Sequence, residues 1–268
     1  MSKDKAFFMF SVVFSVLMLS VTCMGMVEGP SEDFKPLLVS SMEQGEVGEK
    51  LQESMIWAEL GDEIKDKRVF VGFRKEIELD DEVEELEVHI FADSRYLLWV
   101  NGEYVHRGPC RFDPVGPEYD SIEVSEYFKK VRNVVSVMVQ GNVEGILKIM
   151  KHEPGFCALF EGKGQDGDKI EVVTDESWKC SEDIIYKPHG GGWTWSSVMD
   201  VVYTRGTEKS WIEADFDDSG WGNAVKISGD SWGPLTSRSI PLLSEEDMGS
   251  GELILRREGE KVERMRKN

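Results

Sequence analysis

Residues 96–105 constrain the fold more than any other part of the chain. They read Tyr-Leu-Leu-Trp-Val, then Asn101-Gly102, then Glu-Tyr-Val. A two-residue hairpin loop needs a positive φ at both central positions, and Asn-Gly accepts these angles at little cost. The segment therefore predicts a β-hairpin.

Short runs on both sides of this hairpin alternate between apolar and polar residues, as in Val69, Val71 and Phe73. A period of two is typical of strands with one buried face. Further strands are predicted at residues 77–79, 86–90, 122–124, 134–138, 158–160 and 170–173, and one helical turn at residues 125–132, which Ser125 would cap. The spacing predicts an all-β chain folded as an antiparallel β-sandwich of jelly-roll, galactose-binding-domain-like type.

The charge balance of the chain argues against nucleic acid as a partner. The 268 residues include 31 Lys and Arg against 51 Asp and Glu, which gives a net charge of −20. Nucleic-acid binders need clustered basic residues to displace counterions, and this chain carries the opposite field. With 40% hydrophobic and 31% charged residues, the chain is also too apolar for disorder and too polar for several membrane spans.

The cysteines give no support for a metal site or for thiol redox chemistry. Cys110, Cys157 and Cys180 lie in the predicted sandwich, and no Cys-x-x-Cys occurs. Reduced, packed cysteines are favoured, and disulfide pairing among the three is left open. The sequence predicts no metal site and no cofactor.

The first 25 residues have the layout of a secretory signal. Lys3 and Lys5 precede an apolar run at residues 6–21, which ends near Cys23 and Gly25. We expect a signal peptide at 1–25, a linker and leading segment at 26–67, the β-sandwich at 68–245 and a charged tail at 246–268. The predicted location is secreted or periplasmic, with no membrane contact beyond this segment. The alternative is an uncleaved N-terminal anchor.

Two motifs suggest an esterase or a calcium loop, and neither is complete. Residues 189–192 read His-Gly-Gly-Gly and residues 229–233 read Gly-Asp-Ser-Trp-Gly. A hydrolase of that type requires a His after its nucleophilic Ser, and no His follows Ser231 in this sequence. A calcium loop that starts at Asp215 needs Glu at its twelfth position, which is Lys226. The Asp-rich stretch is interpreted as an acidic turn before Trp221, and a different calcium site that uses Asp217 and Asp218 is left open.

Trp193 and Trp195 follow three glycines and are spaced by two residues. In an extended segment, side chains at this spacing point to the same side. Two such indoles can stack on a sugar ring, or they can fill the core. Both interpretations stay open.

Several motifs resemble one known family. Residues 92–102 (Ala-Asp-Ser-Arg-Tyr-Leu-Leu-Trp-Val-Asn-Gly), Arg107-Gly108-Pro109, Tyr119-Asp120, and later residues 215–221 and 235–241 occur in the same order as in the N-terminal β-sandwich of bacterial α-L-rhamnosidases, glycoside hydrolase family 78. The resemblance spans about residues 68–245. Its first half is also similar to the sugar-binding domains of family 2 β-glycosidases, which stay an alternative.

The resemblance implies a non-catalytic role for the chain by itself. Family members carry their general acid and base in an (α/α)₆ barrel after the sandwich, whereas this sequence ends 27 residues after Pro241. No catalytic residue is transferred. We expect an accessory module, a truncated product or a fragment.

The expected activity is carbohydrate binding, with a rhamnose-containing glycan as a candidate partner. Trp193 or Trp195 would stack on the sugar, and four charged residues would orient its hydroxyls: Arg95, Arg107, Asp113 and Asp120. The alternative is a structural module that braces a partner catalytic domain.

Overall fold

The computed structural model describes residues 45–62, 68–142, 152–184, 186–189, 199–202, 211–245, 253–258 and 261–266. Within these ranges no helix is long and apolar enough to cross a membrane. One helix, α1, spans Glu46–Glu53. The strands are β1 (Ile56–Trp57), β2 (Arg68–Leu79), β3 (Val83–Asp93), β4 (Arg95–Val100), β5 (Glu103–Gly108), β6 (Glu118–Glu123), β7 (Val131–Asn142), β8 (Gly155–Gly164), β9 (Lys169–Val173), β10 (Lys179–Ser181), β11 (Tyr186–His189), β12 (Met199–Val202), β13 (Gly222–Asn223), β14 (Val225–Lys226), β15 (Thr236–Ser237), β16 (Leu253–Glu258) and β17 (Lys261–Arg266).

Two antiparallel sheets form the body of the described chain. The first runs β14-β1-β8-β3-β6-β15, with β9 also paired to β8, and the second runs β13-β10-β2-β7-β4-β5. The pair β6–β15 is parallel. Two further pairs, β11–β12 and β16–β17, form separate two-stranded sheets. The predicted all-β antiparallel sandwich is confirmed.

The main core lies between the two sheets. Val71, Phe73 and Val137 from the second sheet pack with Ile90 and Phe156 from the first, and all five are fully buried. The rings of Phe73 and Phe156 lie 5.0 Å apart. Val71, Phe73 and Ile90 are among the alternating positions that the period-two pattern predicts as buried.

The sheets are also covered on their outer faces, which the alternating pattern does not predict. Phe91 and Leu159 on the first sheet pack under Leu51, Met55 and other apolar residues. On the second sheet, Phe70, Trp99 and Met138 pack under Ile184 and Trp211. The central strands are therefore buried on both faces, although one buried face is predicted.

Residues 45–58 belong to this packed body, although the sequence places 26–67 in a linker and leading segment. Helix α1 has Glu46 and Glu49 in its first turn, where negative charges stabilise a helix by interacting with the positive end of its dipole. It buries Leu51, and β1 then pairs with both β8 and β14. The apolar side chains of this segment account for its packing against the sandwich.

The predicted hairpin is confirmed. Asn101 has a φ of 53° and Gly102 a φ of 83°, so both central residues adopt the left-handed conformation. The Asn101 side chain fixes the loop because its Nδ2 donates to the Tyr127 carbonyl (2.8 Å) and its Oδ1 accepts from the Val134 N–H (3.0 Å). The loop residue thus ties β4 to the start of β7.

The predicted helical turn is a short 3₁₀ helix at Ser125–Tyr127. The Ser125 hydroxyl does not cap it, which corrects the predicted role. Its Oγ accepts a hydrogen bond from the Leu86 N–H at 2.7 Å and so joins the turn to β3.

The cysteines of the sandwich are free thiols: Cys157 and Cys180 are buried and Cys110 is half-buried.

Burial raises the pKa of Cys180 to about 11. Because the thiolate is the reactive species, we expect Cys180 in the folded protein to react with an aromatic disulfide reagent at pH 8 about 100-fold more slowly than an ordinary thiol. The check is labelling followed by peptide mass spectrometry. Equal labelling rates in the folded protein and in urea would contradict the expectation.

Candidate functional site

A cleft of about 670 Å³ opens where β3 meets β4. The loop between β5 and β6 forms one wall, and the chain after β15 forms another. It is lined by Asp93, Ser94, Arg95, Pro109, Cys110, Arg111, Phe112, Asp113, Pro114, Arg238, Ile240 and Leu243. Apolar faces and charged groups therefore meet in one cavity, whose volume lies in the ordinary range for small-molecule sites.

A buried ion pair supports the wall formed by Arg238. The Arg238 Nη1 donates to Asp120 Oδ1 at 2.6 Å, and the two side chains are 5% and 0% exposed. The Tyr96 hydroxyl donates to the other carboxylate oxygen at 2.6 Å. Burial, followed by the nearby Asp120 charge, raises the pKa of Tyr96 well above its usual value, so the phenol stays a donor.

Gly108 allows the strands to approach closely at this ion pair. A Cβ on Gly108 would lie 2.1 Å from Asp120 Oδ2 and 2.8 Å from the Tyr96 hydroxyl. Any larger residue would therefore displace the carboxylate. This close approach is a structural reason for Gly in the Arg-Gly-Pro motif.

A second buried carboxylate, Asp93, lies at the end of β3. It accepts hydrogen bonds from Trp232 Nε1 (3.0 Å) and Ser94 Oγ (2.9 Å), and His152 Nδ1 lies 2.9 Å from its Oδ2. Burial raises the pKa of Asp93, and these hydrogen bonds oppose the rise. With its oxygens used in this way, Asp93 braces the cleft from behind.

The surroundings of Ser231 do not form the hydrolase site that its motif suggests. His152 Nε2 lies 2.9 Å from the main-chain oxygen of Ser231, an acceptor, so this nitrogen donates and cannot take a proton from the hydroxyl. The Ser231 hydroxyl donates instead to Glu153 Oε2 at 3.0 Å. His189 is described only through its backbone in β11, and residues 190–192 lie outside the described residues.

Three charged side chains on the cleft are exposed: Arg95, Arg111 and Asp113. Among the described residues, no hydrogen bond or ion pair engages either guanidinium. Asp113 Oδ1 accepts from the Val115 N–H at 3.0 Å, which holds the loop in a tight turn. Unpaired guanidiniums are available to form charge-assisted hydrogen bonds with a ligand.

Arg107 borders a neighbouring groove of about 380 Å³, which shares Arg95, Pro109 and Leu243 with the main cleft. Its guanidinium is paired with Glu245 at 2.6 Å. Glu245 also accepts from the Tyr104 hydroxyl at 2.7 Å, and burial followed by this hydrogen bond raises the pKa of Tyr104. Arg107 is thus less available than Arg95.

The structure brings together three of the residues predicted to orient a sugar and separates the fourth. Arg95 and Asp113 line the main cleft, and Arg107 adjoins it. Asp120 is fully buried, so its predicted direct contact with sugar is corrected to a role in holding Arg238. Trp193 and Trp195 lie outside the described residues, and the indole platform stays a prediction.

Sequence reasoning did not single out Arg111, Phe112, Asp93 or Arg238. Two signals were present: Arg111 and Phe112 come just after the Arg-Gly-Pro motif, with Cys110 between, and Arg238 lies within residues 235–241 of the family pattern. Nothing local indicates that Arg238 pairs with Asp120, 118 positions earlier.

The Asp-rich turn clamps the outer face of the second sheet. Arg74, which is 2% exposed, donates from Nε to Asp218 Oδ2 at 2.9 Å and from Nη1 to the Trp211 carbonyl. Its guanidinium also lies 5.2 Å from the Phe216 ring centre. Asp217 accepts from the Ser219 N–H. Within the described residues, no group of three or more His, Cys, Asp or Glu is placed to hold a metal ion.

Two covered antiparallel sheets with a charged cleft at the β3–β4 junction define a β-sandwich domain with a small-molecule-sized site. Residues 81–242 match the family model described as the α-L-rhamnosidase N-terminal domain. The chain belongs to this family, as the resemblance implies.

Several known proteins of similar sequence or structure are α-L-rhamnosidases. The chain is 25% identical over 174 residues to an α-L-rhamnosidase of Formosa agariphila, a match covering 58% of this chain and 17% of that protein. The crystal structure of a family 78 rhamnosidase of Bacillus sp. GL1 is similar with a TM-score of 0.62 and 31% identity, over 72% of this chain and 20% of that one. The α-L-rhamnosidase of Dictyoglomus thermophilum shares the fold, with a TM-score of 0.57 and 20% identity over 72% of this chain and 23% of the other. The chain thus spans only about a fifth of the length of these relatives.

Proposed function

We propose that the domain is an accessory carbohydrate-binding module of an α-L-rhamnosidase-like glycoside hydrolase, and that the cleft at the β3–β4 junction holds the sugar. The observation that carries the proposal is a pair of guanidiniums, Arg95 and Arg111, which have no partner among the described residues and lie beside the apolar residues Phe112, Pro109 and Pro114. Sugars present hydroxyls at their edges and C–H groups on their faces. A cavity that offers both kinds of surface suits such a ligand.

The charged groups supply the orienting contacts. Arg95 and Arg111 can donate to ring or hydroxyl oxygens, and the Asp113 oxygens can accept from hydroxyls. Phe112 is held in place because its ring lies 4.9 Å from Phe91, in edge-to-face geometry. A wall fixed in this way costs little ordering entropy when the ligand binds.

Calorimetry or NMR titration with methyl α-L-rhamnoside and rhamnose oligosaccharides tests the proposal. We expect dissociation constants between about 1 mM and 100 μM, because shallow sugar sites bury little area. Replacing both Arg95 and Asp113 by Ala should weaken binding about 10-fold or more through the lost hydrogen bonds. Arg132→Ala is the matched control, since Arg132 pairs with Glu76 at the far end of β7 and β2.

Two results would contradict this placement of the site. Unchanged binding in the Arg95 and Asp113 double variant would exclude the cleft. Loss of binding in Trp193→Ala and Trp195→Ala, with the fold intact by circular dichroism, would favour the indole platform instead. Export of the chain, which depends on residues 1–25, stays a prediction.

A specific observation favours the second candidate, a module that braces a catalytic domain. Val115, Ile240 and Leu243 are 76%, 55% and 58% exposed, and the last two line the cleft. Exposed apolar groups near each other are common at domain interfaces. Binding of a separately produced family 78 catalytic barrel, lost in Ile240→Asp with Leu243→Asp, would support this candidate. Saccharide binding by the parent chain, without binding of the barrel, would favour the first one.

A further inference from the structure

We infer that the cleft selects a saccharide that carries an anionic group, a carboxylate or a sulfate ester, and that Arg95 and Arg111 hold this group. The inference rests on the proposed function, because it names the class of sugar that the same cleft would take. It is based on a comparison of the acidic and basic side chains at the cleft, and on which of them have partners among the described residues.

The acidic groups at the cleft are mostly used by the protein itself. Asp93 is 3% exposed and accepts from Trp232 and Ser94 beside His152. Asp120 is fully buried against Arg238 and Tyr96. Asp113 is the exposed carboxylate on the cleft lining, and one of its oxygens accepts from the Val115 N–H.

The cationic groups are not used to the same extent. Among the described residues, Arg95 and Arg111 have no acidic partner, although 51 acidic residues are present in the chain. The cleft therefore offers more donors than acceptors, and guanidinium groups form their strongest hydrogen bonds with oxyanions.

The net charge of the chain, −20, does not decide which ligand these two arginines prefer. Beyond about 8 Å at physiological salt, the field of surface charges is screened, so the overall charge acts weakly on a ligand inside the cleft. Contacts at hydrogen-bond distance decide the preference there. The neighbouring Arg107, by contrast, is neutralised by Glu245 at 2.6 Å.

A matched pair of ligands tests the charge requirement directly. The probes are a disaccharide of L-rhamnose and a hexuronic acid, and the same disaccharide with its carboxyl as the methyl ester. Both present the same hydroxyls and ring faces, and only the charge differs. We expect the acid to bind about 10-fold more tightly than the ester in calorimetry at pH 7. A rhamnose sulfate ester, compared with unsulfated rhamnoside, distinguishes sulfate from carboxylate as the group selected.

Variants then assign the preference to the two guanidiniums. Arg95→Met with Arg111→Met should bring acid and ester to equal affinity, with both bound more weakly than by the parent chain because the guanidiniums also donate to sugar oxygens. Arg132→Met is the control, because it changes the net charge in the same direction away from the cleft. Arg132 lies eight positions before Gln140, the β7 residue that pairs with Arg95. This variant should keep the preference for the acid. Thermal melts verify that each variant is folded.

The outcomes separate this inference from the proposed function. Equal binding of acid and ester by the parent chain overturns the charge selection and leaves carbohydrate binding in place. A preference that survives in the Arg95 and Arg111 double variant also overturns it. Absence of binding to every probe overturns the proposed function, and the inference with it.

Discussion

Asp120→Asn is expected to lower the free energy of unfolding by about 3–5 kcal/mol, because removal of one partner leaves the other charge of a buried pair uncompensated. Arg238 is 5% exposed on its side chain and donates to Asp120 at 2.6 Å, so it would be left without its carboxylate. Asn has nearly the same volume, and it can still accept from the Tyr96 hydroxyl. The loss therefore reports the charge and not the packing. Urea unfolding followed by tryptophan fluorescence measures it.

A double variant distinguishes the pair from its members. Asp120→Asn combined with Arg238→Met removes both charges and should recover part of the lost stability, since the buried cation is no longer present. If the two losses simply added, the ion pair would not be the cause.

Trp178→Ala is expected to cost about 3–5 kcal/mol of stability, as is usual when a fully buried large aromatic residue is truncated. Trp178 is 0% exposed in the main core, and its ring lies 5.5 Å from that of Phe156. Alanine would leave a cavity between the sheets that the neighbouring rigid strands cannot close. The midpoint of urea unfolding and the thermal midpoint should both fall.

Trp178→Phe is the matched control for this prediction. Phenylalanine keeps most of the ring volume, and it removes an indole N–H that is buried with no hydrogen-bond partner among the described residues. We therefore expect a loss below about 1.5 kcal/mol for this variant. Val115→Ala, at a residue that is 76% exposed, should change stability by less than about 0.5 kcal/mol. Similar losses in all three variants would mean that Trp178 does not support the core as proposed.

The parts of the fold that depend on neighbouring residues could be predicted from the sequence. The hairpin at Asn101-Gly102 needs only its own backbone angles, and the alternation in β2 and β3 indicates which side chains face the main core. The covered outer faces could not be predicted in the same way. They depend on contacts such as that of Arg74 with Asp218, 144 positions later, for which no local pattern exists.

The candidate site shows the same division. The sequence predicts ligand contacts for Arg95 and Asp113, and both lie on the cleft, whereas Asp120, predicted on the same grounds, is buried. A carboxylate that binds a ligand and one that neutralises a distant arginine look alike in a sequence. Only the three-dimensional position of Arg238 separates them.

One wall of the cleft depends on the two-residue strand β15, whose pairing with β6 opens and closes by local unfolding. Only Thr236 and Ser237 pair with β6, in parallel, and the Arg238 N–H donates to the Tyr119 carbonyl just beyond them. So short a pairing opens more often than the long strands of the core, and its amide protons should exchange with solvent sooner. A ligand that touches Arg238 binds only the closed form, so its binding energy adds to the local stability of this edge. Slower hydrogen exchange at residues 236–238 would then report occupancy of the cleft.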